Sequence, residues 1–266
     1  MQRECELCGE TDSLDVPGDP SGKIRICSGC GFVHVKERRH PVEVAAAWSQ
    51  IYASGGYDPE WPGVRARLYY VALWIQQHVG VTEGDALLDI GAGNGWFLDC
   101  MPGWDGYGLE PTGGIPVADI YAGTVEVPHP EIDGRTYDLI TINWTLENTA
   151  DPLAMLRYAR SRLAEGGHVV VATGSRIGVP FKKRLSAYLP QDQDYPHDTH
   201  ASRWSANSLE RAAMMAGLGW SKNNDYDDRD EMVCAFTAME PLVNPTGKDN
   251  PAYVRDFFAR WLREFP

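Results

Sequence analysis

The sequence predicts an α/β fold: a doubly wound, mainly parallel sheet of about seven strands, with a small cysteine-bearing ribbon ahead of it. Three observations carry this. From residue 85 onward, short apolar runs alternate with helical stretches. A glycine-rich turn, GAGNG (91–95), follows the first of those runs directly. Four of the 6 cysteines fall near the N-terminus as two Cys-x-x-Cys pairs. At 266 residues the chain holds one full-sized α/β domain and a small appendage.

Each element has a local reason. Residues 1–38 carry the turn formers Pro17, Gly18, Pro20 and Gly22 and little apolar mass, as a ribbon would. Residues 39–84 read as a helical connector or lid. One helix covers Val42–Ala53, and a second follows Pro62, a favoured first-turn residue. In the second, Val64, Leu68, Val71, Ala72, Ile75 and Val79 recur at helical spacing, so one face should be buried. Residues 85–240 form the core. Its strands are ALLDI (86–90), YGLE (107–110), one within IYAGTV (120–125), YDLITINW (137–144) and HVVVAT (168–173). Asp151 caps a helix over 151–164 with Pro152 at its first position. A helix at 205–216 and strands at 219–226 and 231–239 complete the core. Within 241–266, a helix near 250–264 sets Val254, Phe257, Phe258, Trp261, Leu262 and Phe265 along one stripe. Such a stripe serves core packing or, in a minority of cases, a homodimer contact.

Composition excludes several classes. Hydrophobic residues make up 43%, ordinary for a globular protein. No apolar run approaches the roughly 20 residues of a membrane span, and MQRECELCGE lacks a signal-peptide core, so a cytoplasmic location away from membranes is expected. The formal charge is −13, from 37 acidic against 24 basic residues. Such a surface repels a phosphate backbone, which argues against DNA and against RNA as partners. The short basic runs, Lys36–Arg39 and Lys182–Arg184, read as solvated faces.

Cys5-x-x-Cys8 and Cys27-x-x-Cys30 are separated by 18 residues. Each pair offers two thiolates on a tight turn, and a Zn²⁺ ion would close them into a tetrahedral site. Gly9, Gly29 and Gly31 beside them give the turns backbone freedom. A redox dithiol would need only one pair, in a strand–helix setting. With so small a core, the ribbon would draw much of its folding free energy from the metal. His34 reads as an ordinary strand residue, and Cys100 and Cys234 as buried thiols.

The turn at 91–95 must choose a cofactor. A dinucleotide fingerprint, G-x-G-x-x-G, places its third glycine where this chain has Trp96. Asp89, two residues before the first glycine, would repel a pyrophosphate but suits a ligand with an ammonium group and a sulfonium cation. No Lys or Arg is expected nearby to neutralise phosphates. Glu110, ending the next strand, can take both ribose hydroxyls. A purely structural glycine turn is the alternative.

The stretch LLDIGAGNGW (87–96) resembles motif I of the class I S-adenosylmethionine-dependent methyltransferases. The resemblance continues through GLEP (108–111), YDLITINWTLENTADPLAML (137–156) and RLAEGGHVVVAT (162–173), and covers roughly residues 65–240. It implies a Rossmann-like fold and a bound S-adenosylmethionine. By position it puts Asp89, Gly91, Ala92, Gly93 and Gly95 at the methionine moiety and Glu110 with Pro111 at the ribose. Thr124, Val125 and Glu126 would meet the adenine edge, and Asn143 with Trp144 the reacting end. Glu165 replaces the proline of the family's turn before the fifth strand, and Leu146-Glu147-Asn148 stands where the family often has Leu-Glu-His. Only PTGGIPVAD separates the second and third strands, which would leave the adenine pocket open. The tandem Cys pairs ahead of such a domain resemble the bacterial sugar C-methyltransferases. That implies a small acceptor, a sugar or nucleotide-sugar, methylated on oxygen or carbon. An RNA methyltransferase with a zinc module, and a binding module that has lost catalysis, stay open as alternatives.

Methyl transfer is chiefly a matter of positioning, and a base is needed only for a hydroxyl or carbon acid. Tyr195, His197 and His200 cluster in YPHDTHASRW (195–204), on a loop that the topology brings toward the ligand end. They are the candidate catalytic residues; the alternative is that the histidines cap the helix near Ser205 or touch solvent. Tyr52 and Tyr57, around a Gly-Gly hinge, could lid the sulfonium with an aromatic face or pack on the ribbon.

Overall fold

A computed structural model describes residues 4–19, 22–37, 40–53, 62–112, 119–174, 200–224 and 231–264. Its centre is a sheet of seven strands: β4 (Ala86–Ile90), β5 (Asp105–Glu110), β6 (Ile120–Ala122), β7 (Tyr137–Asn143), β8 (Leu163–Gly174), β10 (Leu218–Asn223) and β11 (Glu231–Ala238). The spatial order is β10-β11-β8-β7-β4-β5-β6. Pairings among β4 to β8 are parallel, while β11 joins β8, and β10 joins β11, in antiparallel fashion. Succession reverses at β4: the chain runs outward through β5 and β6, then returns to β7 on the other side. A crevice at that switch point is where this topology binds ligands.

The strands are buried on both faces, so they read as continuous apolar runs. Leu87, Leu88, Leu139, Ile140, Val170 and Val171 are sealed from water. On one face lies helix α2 (Pro62–His78), whose Val71, Ala72, Trp74, Ile75 and Val79 pack with Leu87, Leu139 and Val170. On the other lie α5 (Pro152–Arg162) and the helix α6 (Ala206–Met215). Asp151 Oδ1 accepts the Ala154 N–H at 2.9 Å and Pro152 opens α5. Ser205 and Ser208 form a capping box at the head of α6. The single-turn helices α3 (Trp96–Asp99) and α4 (Pro130–Asp133) fill the crossovers after β4 and β6. β8 is longer than HVVVAT: it begins at Leu163 directly after α5, so the residues read as a turn lie within the strand, with Gly166 at φ +76°.

The cysteine-bearing segment forms a second, antiparallel sheet of β1 (Ser13–Asp15), β2 (Ile24–Cys27) and β3 (Val33–Val35). Its fourth strand comes from far along the chain. β9 (Ser202–Arg203) pairs with β3, setting Val33 against Arg203 and His34 against Ser202. The C-terminal helix α7 (Pro251–Glu264) covers this sheet: Val254, Phe258 and Trp261 pack on Val16, Ile24, Ile26 and Val33. That is the core-packing role of the stripe, although Leu262 remains exposed and Phe265 lies outside the described residues. Arg211 of α6 adds a polar tie, donating from Nε to Leu7 O at 2.7 Å and from Nη1 to Pro245 O. Among the described residues no helix is long and apolar enough to cross a membrane.

Candidate active site

A cavity of about 370 Å³ opens at the switch point, within the range of small-molecule sites. One wall is the turn after β4. Gly91, Gly93 and Gly95 sit at φ +79°, +53° and +79°, where a side chain is strained. A Cβ on Gly91 would also collide with Thr145. The turn is pinned to the next strand, because the Gly91 N–H donates to Leu109 O at 2.7 Å. Glu110 finishes β5 and is nearly buried. Its Oε2 accepts the Gly93 N–H at 2.9 Å and its Oε1 the Thr112 N–H at 3.1 Å. Both oxygens are thereby held in place, with lone pairs left for a ligand's hydroxyls. Gly123, Thr124, Val125 and Glu126 form the far rim, where Thr124 and Val127 close a tight turn on each other.

Asp89 lies at the floor, 2% exposed. Its Oδ1 accepts Thr141 Oγ1 at 2.7 Å and Asn143 Nδ2 at 3.0 Å. Burial pushes its carboxyl up to about 7, and nearby Glu110 adds to the rise, while the two hydrogen bonds oppose it. A carboxyl left so high in the ligand-free protein is one that a cation would return to its ionised form.

The opposite wall comes from β7 and the segment after it. Trp144 adopts φ +48°, an uncommon backbone for a bulky residue, and is held by its N–H on Ala172 O at 2.7 Å. Arg67 of α2 lies over the Trp144 ring at 4.7 Å. Beyond it the cavity is lined by Glu147, Thr173, His200, Ser202 and Arg203. The Ser202 N–H donates to Glu147 O at 3.1 Å, tying β9 to the site. Helix α1 (Pro41–Ala53) closes the cavity from outside with Val44, Ala45 and Trp48.

Away from the cavity, the Sγ atoms of Cys5, Cys8, Cys27 and Cys30 all lie within 4.8 Å of one another. Cys5 and Cys30 are 3.7 Å apart, and Cys8 and Cys27 3.4 Å. A tetrahedral S₄ site with Zn–S bonds of about 2.3 Å spaces its sulfurs about 3.8 Å apart, so the four thiols fit a Zn²⁺ ion. The Gly9 and Gly31 N–H groups close both turns on Cys5 O and Cys27 O. His34 points elsewhere, with Nδ1 2.9 Å from Val35 O.

The methyltransferase domain family matches residues 67–219, more than half of the chain. The chain belongs to that family, within the class I S-adenosylmethionine-dependent methyltransferases. A ubiquinone biosynthesis O-methyltransferase of Acinetobacter baylyi is 28% identical over 151 residues. That match covers 48% of this chain and about 60% of the relative's length. Among solved structures, the Burkholderia thailandensis 1,6-didemethyltoxoflavin-N1-methyltransferase, with 1,6-didemethyltoxoflavin and S-adenosylhomocysteine bound, superposes with a TM-score of 0.55 at 14% identity. It covers 81% of this chain and 98% of that one. A Thermotoga maritima S-adenosylmethionine-dependent methyltransferase, described as a possible histamine N-methyltransferase, gives a TM-score of 0.53 at 17% identity over 73% and 99% of the two chains. These likenesses are of fold.

The methyltransferase fold brings together nearly all the residues the sequence singled out for the cofactor. Asp89, Gly91, Ala92, Gly93, Glu110, Pro111, Thr124, Val125, Glu126, Asn143 and Trp144 line one cavity, and Gly95 caps α3 behind it. His200 stands at the same cavity, exposed. Tyr195, His197 and Tyr57 lie outside the described residues, as does the side chain of Tyr52. One expectation needs correction. Arginines do come close: Arg67 and Arg203 line the cavity, and Arg65 lies 5.1 Å over the Trp96 ring. They come from α2 and β9, distant in sequence, so inspection of the turn alone could not find them. Cys100 is half-buried, whereas Cys234 is sealed in β11. Sequence reasoning also passed over Trp48, Glu147 and Ser202. For Glu147 the signal was an acid four residues past the end of β7.

Proposed function

We propose that the chain transfers a methyl group from S-adenosylmethionine to a small molecule, a sugar or glycan-related acceptor methylated on oxygen or carbon. The observation that carries this is the convergence of Asp89, the glycine turn and Glu110 on one cavity at the switch point. When bound, S-adenosylmethionine supplies an activated methyl on a sulfonium centre. Glu110, fixed by two backbone donors, would hold the ribose hydroxyls. Asp89 would face the ammonium and sulfonium charges, and Thr124 to Glu126 the adenine. Trp144, Asn143 and Trp48 shape the wall past which the acceptor must reach the methyl, and His200 binds the acceptor at the cavity mouth. The curated relative is an O-methyltransferase, which supports an oxygen acceptor. Residues 195 to 199, including Tyr195 and His197, precede His200 and belong to the same proposal.

The four cysteines hold a structural Zn²⁺ in this reading. Their role is to fold the small sheet whose fourth strand, β9, forms part of the cavity wall. Calorimetry with S-adenosylhomocysteine tests the donor site, with saturable one-to-one binding expected. Heat indistinguishable from dilution at millimolar ligand would dismiss it. Elemental analysis should find one zinc per chain, and none in a variant with Cys5 and Cys30 changed to serine.

A further inference from the structure

Glu147 is 6% exposed and lines the cavity on the side away from Glu110. Its Oε2 is shielded from water and has no hydrogen-bond partner among the described residues. Leaving a buried carboxylate oxygen unpaired is costly, and a fold keeps such an atom where a ligand completes it. Ser202, fully buried on the same wall, likewise has a hydroxyl with no partner among the described residues. The carboxylate is thus held beside polar groups that await something polar.

We propose that Glu147 is the general base of this site, taking the proton from a neutral hydroxyl acceptor as its oxygen is methylated. The proposal rests on the methyltransferase reading above. Arg67 from α2, Arg203 from β9, Glu231 of β11 and His200 line the same cavity. The Ser202 and Thr173 hydroxyls suit an acceptor that carries a second hydroxyl. Burial pushes the Glu147 carboxyl up to about 7, and the positive field of Arg67 opposes the rise. That range matches a base working near neutral pH. In the step, the acceptor O–H proton passes to Glu147 Oε2, the new O–CH₃ bond forms and the S–CH₃ bond breaks. The products are a methyl ether and S-adenosylhomocysteine, and the proton leaves Glu147 for water. Glu147 therefore touches the reacting oxygen, while Ser202 and Thr173 orient its neighbour.

The test uses methyl-tritiated S-adenosylmethionine at saturation, so that Asp89 is held ionised and its titration drops out. Catechol and methyl α-glucoside serve as hydroxyl probes, and benzylamine as an amine probe. The expected result is label on a hydroxyl probe, at a rate that rises with pH through about 7 and then levels. Glu147→Gln should lower that rate by about 100-fold and abolish the rise, Glu147→Asp should restore part of both, and His200→Gln should keep the rise. S-adenosylhomocysteine affinity in Glu147→Gln should stay within about threefold of wild type, which shows the fold intact. Label on benzylamine alone, or on neither hydroxyl probe from protein that binds S-adenosylhomocysteine, would overturn the assignment. So would a Glu147→Gln rate within threefold of wild type, or loss of the rise in His200→Gln alone. Absence of any S-adenosylhomocysteine binding by the wild type would instead remove the underlying methyltransferase reading.

Discussion

Replacing Asp89 with asparagine should strengthen the ligand-free fold and weaken the cofactor site together. The carboxyl titrates at about 7 in the folded protein against 3.8 in its ordinary state, because burial penalises the charge. A raised carboxyl favours the folded chain while protonated. Wild-type stability should therefore fall as pH climbs from about 4 to about 7, then level off. Asparagine keeps an oxygen to accept Thr141 and Asn143 but carries no charge. A shift of about three units corresponds to about 4 kcal/mol, an upper value for the gain of Asp89→Asn at pH 8. At pH 5 the folded carboxyl is protonated and the gain shrinks, so the advantage should be about 2–3 kcal/mol larger at pH 8. Urea unfolding at the two pH values, with equal m-values, measures that difference. Calorimetry supplies the other half. Loss of the charge facing a cation should cost about 1.5–3 kcal/mol, or about 10- to 150-fold in S-adenosylmethionine affinity at pH 8. Wild-type affinity should itself decline as pH drops below about 7. A variant less stable than wild type at pH 8, or one that binds the cofactor equally well, would refute this reasoning.

Other perturbations test other parts of the account. Glu110→Ala removes the acceptor for the Gly93 and Thr112 N–H groups and the proposed acceptor for the ribose; affinity for S-adenosylhomocysteine should fall by at least tenfold in calorimetry. Gly91→Ala places a methyl against Thr145 at a positive φ, so it should abolish cofactor binding while lowering the melting temperature only modestly. Trp261→Ala opens a hole between α7 and the small sheet, and chemical denaturation should register a loss of about 3–5 kcal/mol. Stripping the proposed zinc with a chelator should melt β1 to β3, with loss of amide-exchange protection extending to residues 202 and 203 through the β3–β9 pairing.

Much of this architecture is legible in the chain because local signals agree. Doubly buried parallel strands spell themselves as apolar runs, Asp151-Pro152 announces α5, and the glycines at 91, 93 and 95 demand a turn that few other residues could make. Glu110 is readable because it ends the next strand, one crossover from that turn. What escapes the sequence is set by distance along the chain. Nothing in Ser202–Arg203 marks a two-residue strand destined for a sheet built from residues 13–35. The approach of Arg67 to Trp144 depends on how α2 lies on the sheet, which its apolar stripe fixes only as a face. Glu147 was visible as a letter within a motif, but its burial and its unpaired oxygen arise only when β7, β8 and β9 meet. Its place in the wall is tertiary information.

The most direct measurement is a crystal structure with S-adenosylhomocysteine bound. The account predicts density in the switch-point cavity, with the ribose hydroxyls on Glu110, the amino-acid end between Asp89 and Gly93, and the sulfur directed toward Asn143 and Glu147. Ligand seated elsewhere, or with its ribose away from Glu110, would contradict it.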